Sequence, residues 1–463
     1  MRRLITFGVA SVVSVWVASA TSAQTDDPAY IRALAAGYEA AFTCSATFNA
    51  NQSQAEIDVN ELTRVYGELR DDVGDLTAQI DRDAKRVSVD YADNMPPRIA
   101  QWRPHLGCAQ LPVGAEVDAA SDLPSLEISS PAIATSWPMG DENATSLSND
   151  PLLNEIVADA FDGETFGEES KTSAVVVVKN GRIIAERYAH GIDAQTPQRT
   201  WSVAKSIAGT VVGIAAQQQL IDLRGPAPIP EWQSPLDPRK AITTEHLLRM
   251  ASGLRSDFSG SRTDALYVGG ASVSDTSPGQ SILHQPGTHY RYANNDTLLA
   301  LYGLRQAMAD DARYLAFPYT ELFWKLGMMR TFAETDWRGD FVMSSQVWTT
   351  ARDLARLGLL HLNDGVWQGE RLLPRGFVEW ASEAGPAQPD RPFGYGATFW
   401  LAKDESGPLE GAFAAFGNRG QYLMILPARD MLVIRRGYDP IGEPVGRFDI
   451  DAFTRAVVDA TGG

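Results

Sequence analysis

Two pairs of short apolar runs predict β-hairpins at widely separated places in the chain. The first pair covers 174–178 and 183–185, is rich in Val and Ile, and is separated by Asn180-Gly181. Asn and Gly both tolerate the positive φ that a two-residue hairpin turn requires. The second pair covers 422–426 and 431–435. Both hairpins are therefore expected to supply strands to a sheet.

Between the hairpins, apolar residues recur mainly at helical spacing. The predicted helices are 202–220, 244–250, 295–308, 350–362 and 374–382, and a closing amphipathic helix follows at 448–460. A sheet built from both ends of this region, with a helical lobe inserted between its halves, satisfies the pattern most simply. We therefore predict an α+β fold, in which an antiparallel sheet is flanked by helices and joined to an all-helical lobe.

The chain before this region has a different character. Apolar residues at helical spacing predict a helix over 28–43, and alternation predicts a strand over 86–91. From 111 to about 150 the chain is rich in Ala, Ser, Pro and Asp, which is typical of a linker or a segment on the surface. We expect an accessory region with its linker over 24–150 and the main domain over 151–463.

The first residues have the pattern of an export signal. Arg2 and Arg3 precede a short apolar run, and Thr21-Ser22-Ala23 forms a small-residue cleavage site. The run is shorter than the roughly 20 residues that a bilayer span needs, so a membrane anchor is the less favoured interpretation. We predict a signal peptide over 1–23, and a periplasmic or secreted protein with no membrane span in the mature chain.

The composition of the chain disfavours one class of partner, and its two cysteines point to a disulfide bond. The 463 residues carry 58 acidic and 40 basic side chains, a formal net charge of -18, which disfavours binding to nucleic acid. Cys44 and Cys108 are the two cysteines of the chain. In an oxidising compartment such a pair is expected to be bridged, and the bridge would fix the amino-terminal region.

The first candidate for chemistry is Ser202-Val203-Ala204-Lys205 at the start of a predicted helix. One turn of helix separates Ser202 from Lys205, so the two side chains share a face. A lysine that is buried and loses its proton can activate a serine hydroxyl as a nucleophile. The alternative is that Ser202 is only a helix cap.

The second candidate is Tyr292-Ala293-Asn294, which follows a Pro-Gly turn and precedes a helix. A loop at a helix start presents side chains to a cleft. The Tyr292 phenol beside a lysine ammonium can act as a general base and then as an acid, and the Asn294 amide can orient Lys205 or a substrate carbonyl. Taken singly, the tyrosine is equally compatible with core packing.

The third candidate is Phe416-Gly417-Asn418-Arg419-Gly420-Gln421, directly before the second hairpin. Glycine lets a backbone approach a ligand closely, and an N–H on this strand can be an oxyanion donor, although a plain glycine turn fits as well. The G-x-S-x-G, H-E-x-x-H and nucleotide-binding glycine motifs are missing from the sequence, and the histidines show no metal-ligand spacing. We predict no metal and no cofactor.

In order and spacing, the three motifs resemble those of the serine β-lactamase and penicillin-binding-protein superfamily. The similarity is greatest to its class C branch, with esterases and 6-aminohexanoate-dimer hydrolases, and extends over about 150–460. Segment 242–254 and the Pro286-Gly287-Thr288 turn also resemble that branch. The resemblance implies a mixed sheet backed by helices, with the site between the sheet and a helical lobe.

The resemblance also implies roles for individual residues. Ser202 would be acylated, Lys205 and Tyr292 would be its acid and base, and Asn294 would bind the substrate or Lys205. The Lys-Thr-Gly element of the family corresponds less securely to Ala415-Phe416-Gly417, with the amides of Ser202 and Asn418 as the oxyanion hole.

One departure from the family pattern bears on the substrate. The family lysine that helps to bind a carboxylate is replaced by Ala415, so carboxylate recognition is in doubt unless Arg419 substitutes for it. We therefore expect an exported serine hydrolase acting on a small ester or amide. The alternatives are a penicillin-binding DD-peptidase or β-lactamase, and a catalytically silent binding protein. We further hypothesise that Tyr395, Phe399 and Trp400 line an apolar substrate pocket, with strand packing as the other interpretation.

Overall fold

The computed structural model describes residues 27–63, 65, 67–144, 148–256, 264–390, 393–402, 404, 406–441 and 447–462. The predicted signal peptide, 1–23, lies outside these residues. Within the described part of the chain, no helix combines the length and the apolarity that crossing a bilayer requires.

The described helices and strands alternate irregularly along the chain. The α-helices are α1 (Pro28–Phe48), α2 (Gln54–Asn60), α3 (Gly67–Asp75), α4 (Pro151–Asp159), α5 (Val203–Gln217), α6 (Thr244–Leu248), α7 (Asp264–Tyr267), α8 (Val273–Thr276), α9 (Asn294–Met308), α10 (Asp311–Phe317), α11 (Trp324–Leu326), α12 (Ala351–Leu362), α13 (Phe377–Ala381) and α14 (Ile450–Ala460). The strands are β1 (Ala78–Asp81), β2 (Arg86–Val89), β3 (Arg98–Arg103), β4 (Gly107–Gln110), β5 (Thr172–Lys179), β6 (Arg182–Tyr188), β7 (Gln198–Arg199), β8 (Phe332–Ala333), β9 (Val347–Thr349), β10 (Val366–Trp367), β11 (Glu370–Arg371), β12 (Gly394–Tyr395), β13 (Trp400–Leu401), β14 (Phe413–Gly417), β15 (Gln421–Leu426) and β16 (Met431–Gly437).

The main sheet is antiparallel and joins both ends of the predicted main domain. Among the described residues its strand order is β12-β13-β14-β15-β16-β5-β6. The two predicted hairpins therefore meet where β16 pairs with β5. Asn180 and Gly181 both have positive φ, at 51° and 72°, as the hairpin prediction requires.

Alternation along the central strands divides the core between the two faces of the sheet. Val175 and Val177 of β5 belong to a cluster with helices α4 and α14. Val176 and Val178 face the larger core, which includes Val203 of α5. The sheet with helices on both faces, together with the helical segments inserted between β6 and β12, confirms the predicted α+β fold class.

The amino-terminal residues form a layer with its own small antiparallel sheet. We call the described residues between 27 and 110 the N-terminal layer; they contain α1 to α3 and the sheet β1-β2-β3-β4. The predicted disulfide is present, and Cys44 of α1 bonds to Cys108 of β4. Tyr38 and Phe42 of α1 are buried in the same core cluster as Trp201. This layer therefore packs directly against the region that contains Ser202.

Segment 111–150 is mostly irregular where it is described. A 3-10 helix at Val117–Asp122 is followed by a cis peptide bond between Trp137 and Pro138. Trp137 donates its indole N–H to the carbonyl of Gly181 in the first hairpin turn, at 2.8 Å. The segment thus lies against the main sheet. The division at residue 150 remains a prediction.

Candidate active site

A short strand and a strained turn position Ser202 at the start of α5. Strand β7 pairs with β9, which fixes the backbone at Arg199. Trp201 then adopts φ 50°, a left-handed conformation. This conformation costs free energy for a non-glycine residue, and it persists only where the surrounding structure holds it. Ser202 follows as the N-cap residue of α5, and its side chain makes no capping hydrogen bond. The hydroxyl is therefore not used to cap its own helix.

Lys205 lies one turn further along α5 and is 1% exposed. Its Nζ makes hydrogen bonds with Ser202 Oγ at 3.2 Å, Asn294 Oδ1 at 2.6 Å and the carbonyl oxygen of Ser344 at 2.8 Å. All three partners are neutral groups. Burial without a compensating charge lowers the pKa of Lys205 to about 7. Near neutral pH the amine can therefore either hold or give up its extra proton.

Tyr292 lies beside Lys205 on a loop that Met250 fixes. The Lys205 Nζ is 4.9 Å from the centroid of the Tyr292 ring. Met250 accepts a hydrogen bond from Arg291 N at its carbonyl oxygen, at 2.8 Å, and one from Ala293 N at Sδ, at 3.4 Å. The structure thus brings the first two sequence candidates, Ser202-x-x-Lys205 and Tyr292-x-Asn294, together at one place.

Gly417 ends β14 directly against the turn at residues 200–202. A Cβ on this residue would lie 2.3 Å from the carbonyl oxygen of Thr200 and 3.2 Å from Ser202 N. Only glycine fits such an approach, which explains the residue type at this position. Asn418 follows it on the surface, where its Oδ1 accepts a hydrogen bond from Arg419 N at 3.0 Å. The third motif therefore lies next to the first.

The suggestion that Arg419 replaces the family lysine in binding a carboxylate is wrong. Arg419 is 3% exposed and has φ 57°, which turns it into the protein interior. Its guanidinium donates to the carbonyl oxygens of Asn60 at 2.6 Å, Asp439 at 3.0 Å and Tyr438 at 3.3 Å. The bond to Asn60 connects the turn after β14 to the N-terminal layer. Ala415, at the family lysine position, is fully buried.

The aromatic residues before β14 divide between two environments. Trp400 is packed on Tyr292, with ring centroids 5.4 Å apart, and on Tyr395 at 4.9 Å. Phe399 instead contacts His361 and Phe413 in the main core, so its predicted place in a pocket wall is wrong. Phe399 directly precedes β13, and Trp400 is the first residue of that strand. The cluster around Tyr292 consists of Met250, Tyr290, Phe393, Tyr395, Trp400 and Phe416.

Three further residues of this region carry no signal in the sequence. Ser344 contributes only its carbonyl oxygen to Lys205, and any residue type could do so. Met250 acts through its carbonyl oxygen, its Sδ and an unusual φ of 57°. Asp296, in the first turn of α9, is fully buried, and burial raises its pKa to about 7 although Ser252 donates a hydrogen bond to it. From the sequence alone, an aspartate at this position is an ordinary residue for the first turn of a helix.

Metal ligation finds no support in the described part of the chain. Within it, no group of three or more His, Cys, Asp or Glu side chains is arranged to hold a metal ion. Ser202, Lys205 and Tyr292 are side chains of types that can transfer protons, and the pKa of Lys205 is lowered to about 7.

Comparison with known proteins identifies the family. The family model described as Beta-lactamase matches residues 164–435, which is more than half of the chain. The 6-aminohexanoate-dimer hydrolase of Paenarthrobacter ureafaciens is 26% identical over 293 residues, covering 58% of this chain and 73% of that protein.

Solved structures show the same fold at low sequence identity. A putative 6-aminohexanoate-dimer hydrolase from Bacillus anthracis is similar with a TM-score of 0.53 and 22% identity, covering 72% of this chain and 85% of that one. A family VIII carboxylesterase gives 0.52 and 16%, covering 67% and 98%. A class C β-lactamase gives 0.53 and 13%, covering 69% and 99%. The motifs, the fold and the family match agree, and the chain belongs to the β-lactamase family of hydrolases.

Proposed function

We propose that this protein is an exported serine hydrolase that cleaves ester or amide bonds through an acyl-enzyme on Ser202. The observation that carries the proposal is the contact of Lys205 Nζ with Ser202 Oγ at 3.2 Å, made by a lysine whose pKa burial lowers to about 7. A serine hydroxyl becomes a useful nucleophile only when a nearby base takes its proton.

The reaction follows from these contacts in two steps. Ser202 Oγ attacks the substrate carbonyl carbon, and its proton passes to the pair formed by Lys205 and Tyr292. The tetrahedral oxyanion then collapses, the bond to the leaving group breaks, and the same pair returns the proton to that group. Water attacks the resulting acyl ester in the same way and frees Ser202. Asn294, through its bond to Lys205, keeps the amine directed at Ser202.

The developing oxyanion needs donors that are already in place. Ser202 is the N-cap residue of α5, so its N–H lies at the helix end where the helix dipole favours negative charge. Gly417 lies against that amide, and the N–H of Asn418, the residue after β14, is the proposed second donor. Such a pair lowers the barrier because it needs no reorganisation during the reaction.

The surroundings favour a substrate without an essential carboxylate. Ala415 is apolar and buried, and the Arg419 guanidinium is used by backbone carbonyls. The rings of Trp400 and Phe416 stack with their centroids 6.2 Å apart, beside Tyr292. We propose that Trp400 contributes to an apolar substrate surface.

The second candidate function is that of a DD-peptidase or β-lactamase. The fold shared with a class C β-lactamase favours it, while Ala415 opposes it. Intact mass spectrometry after incubation with penicillin separates the two functions. A stable penicilloyl adduct on Ser202 would favour a DD-peptidase, and catalytic hydrolysis of penicillin would favour a β-lactamase. Ester turnover with neither an adduct nor penicillin hydrolysis would favour the first candidate.

Export and domain limits complete the proposal. The bond between Cys44 and Cys108 is typical of proteins that fold in an oxidising compartment. We propose that 1–23 is a signal peptide, that 24–150 is an accessory region with its linker, and that 151–463 is the hydrolase domain.

Turnover of a p-nitrophenyl ester by single variants tests the proposal. Ser202→Ala should lower kcat by at least about a thousandfold, because the nucleophile is lost. Ser382→Ala makes the same chemical change near the end of α13, where the hydroxyl bonds only to local backbone carbonyls, and should leave kcat unchanged. Retained turnover in Ser202→Ala would contradict the proposal.

A further inference from the structure

Arg199 connects the N-terminal layer to the turn at residues 200–202, which we call the nucleophile turn. Its guanidinium carbon lies 4.0 Å from the ring centroid of Phe42 and 4.2 Å from that of Trp201. The two rings are themselves in contact, with centroids 5.8 Å apart. A guanidinium at these distances is attracted by the faces of both rings, and its planar shape suits such packing. Phe42 belongs to α1, whereas Trp201 directly precedes Ser202.

Trp201 needs support of this kind. Its φ of 50° lies in the left-handed region, which a bulky residue adopts only when the surrounding structure fixes it. The Trp201 side chain is 5% exposed, so its surroundings are almost entirely protein. A rotation at Trp201 would move Ser202, because the two residues share a peptide bond.

Arg199 also reaches the other side of the site. Its Nη2 donates to Ser345 Oγ at 3.1 Å. Ser345 follows Ser344, whose carbonyl oxygen accepts a hydrogen bond from Lys205. One guanidinium therefore contacts both the residue before the nucleophile and the neighbour of a Lys205 partner.

A second connection fixes α1 over this region. Glu334 Oε1 accepts hydrogen bonds from Ser45 Oγ at 2.6 Å, Asn49 Nδ2 at 2.9 Å and Cys108 N at 3.1 Å. Glu334 N in turn donates to the carbonyl oxygen of Gln346, the residue after Ser345. The helix that carries Phe42 is thus held to the segment that carries the Lys205 partner.

We propose that Arg199 is a positioning residue for the hydrolase reaction, and that the N-terminal layer acts through Phe42 to hold it. The layer then supports catalysis by holding the turn that carries Ser202. The inference rests on the proposed role of Ser202 as nucleophile. Small errors in the position of a reacting atom lower kcat strongly, while binding of the substrate can be unaffected.

The test compares two variants in the N-terminal layer. Phe42→Leu keeps an apolar side chain but removes the ring face that Arg199 contacts. Val89→Ala removes buried volume from β2, in a cluster of the layer that does not include Phe42, Arg199 or Trp201. Both variants should lower the denaturation midpoint. Only Phe42→Leu should lower kcat and the rate of fluorophosphonate labelling, by about tenfold, with KM within about twofold of wild type.

Arg199→Lys supplies the second variant if Phe42→Leu fails to fold. Lysine keeps the charge but has no planar group to cover both rings, so kcat should again fall about tenfold with KM unchanged. Wild-type kcat in folded Phe42→Leu or Arg199→Lys, or an equal loss in Val89→Ala, would overturn the inference. Ser202→Ala, measured alongside, separates the two claims: if it is inactive while these variants keep wild-type kcat, only the positioning role fails, and if it is active, the nucleophile assignment and the inference fail together.

Discussion

Lys205 combines complete burial with three hydrogen-bond partners that are all neutral oxygens. Desolvation is therefore uncompensated, and it lowers the pKa of the amine to about 7. The unprotonated amine can accept a proton from Ser202 Oγ, whereas the ammonium cannot. The electrostatic state of this single residue should thus control the proposed chemistry.

The pH dependence of turnover follows from that pKa. Because the active form is unprotonated, kcat/KM should rise with pH through about 7 and level off above it. The Lys205→Arg variant stays cationic between pH 5 and 9, so it should be inactive throughout that pH range. Steady-state ester hydrolysis between pH 5 and 9 checks both expectations, and a flat wild-type profile would contradict them.

Asp296 leads to a prediction about stability. Burial raises the folded-state pKa of this carboxyl to about 7, so between its unfolded value near 4 and about 7 the folded state binds the extra proton. The stability that the protonated carboxyl contributes is therefore fully present below pH 4 and is lost as the pH rises from 4 to 7. Above pH 7 the free energy of unfolding no longer changes with the titration of this group. Asn mimics the neutral acid and can still accept the Ser252 hydrogen bond.

Asp296→Asn should consequently gain stability over wild type by about 1 kcal/mol per pH unit between pH 4 and 7. Urea unfolding of both proteins at pH 4, 5.5, 7 and 8.5 measures the difference. If that difference did not change with pH, the carboxyl would not have a raised pKa.

The residue scale also shows how far sequence reasoning reaches. The proximity of Ser202 to Lys205 follows from helix geometry alone. The resemblance of Tyr292-Ala293-Asn294 to a family motif predicts that Asn294 lies beside Lys205. The orientation of Arg419 could not be predicted, because its carbonyl partners, Asn60 and Asp439, are distant in the sequence. The Ser344 carbonyl has no side-chain signature, so only the tertiary fold reveals it.

At the element scale, the elements with strong local patterns were predictable. The hairpin of β5 and β6 follows from β-branched residues around Asn180-Gly181, and α9 and α12 begin within one residue of their predicted starts. Helices α2 and α4 were not predicted, although both begin with local signals: Ser53 and Glu56 form a capping box, and Asp150 caps a helix whose first residue is Pro151. The disulfide between α1 and β4 was predicted from the cysteine count and the export signal.

That disulfide should contribute substantially to stability. It closes a sequence separation of 64 residues, for which the chain-entropy model gives about 4 kcal/mol. The double variant Cys44→Ser/Cys108→Ser should lose up to that amount in guanidinium unfolding. A reducing agent should destabilise wild type and leave the double variant unchanged; equal stability of the oxidised wild type and the variant would refute the expectation.

At the scale of the whole molecule, the N-terminal layer and the predicted main domain share a hydrophobic core. Leu34, Tyr38 and Phe42 of α1 belong to the same buried cluster as Trp201 and Ile207 near the nucleophile. The boundary expected at residue 150 marks a change in composition along the chain. Packing in three dimensions joins the two parts, and a one-dimensional pattern could not show this.

The shared core predicts joint unfolding of the two parts. Backbone amides of α1 and α5 should become exposed to hydrogen exchange at the same denaturant concentration, because opening one helix uncovers the other. Exchange measured by mass spectrometry on peptides from 28–48 and 203–217 tests this. Separate transitions, with ester hydrolysis persisting after α1 has opened, would show two independent units.

Labelling with a fluorophosphonate probe followed by peptide mapping tests the central claim most directly, because it identifies the nucleophile without knowledge of the substrate. We predict a single modified residue, Ser202, with labelling that accelerates as the pH rises through about 7 and that is lost in Lys205→Arg. Labelling at another serine, or an unlabelled protein that still hydrolyses esters, would contradict the proposed mechanism.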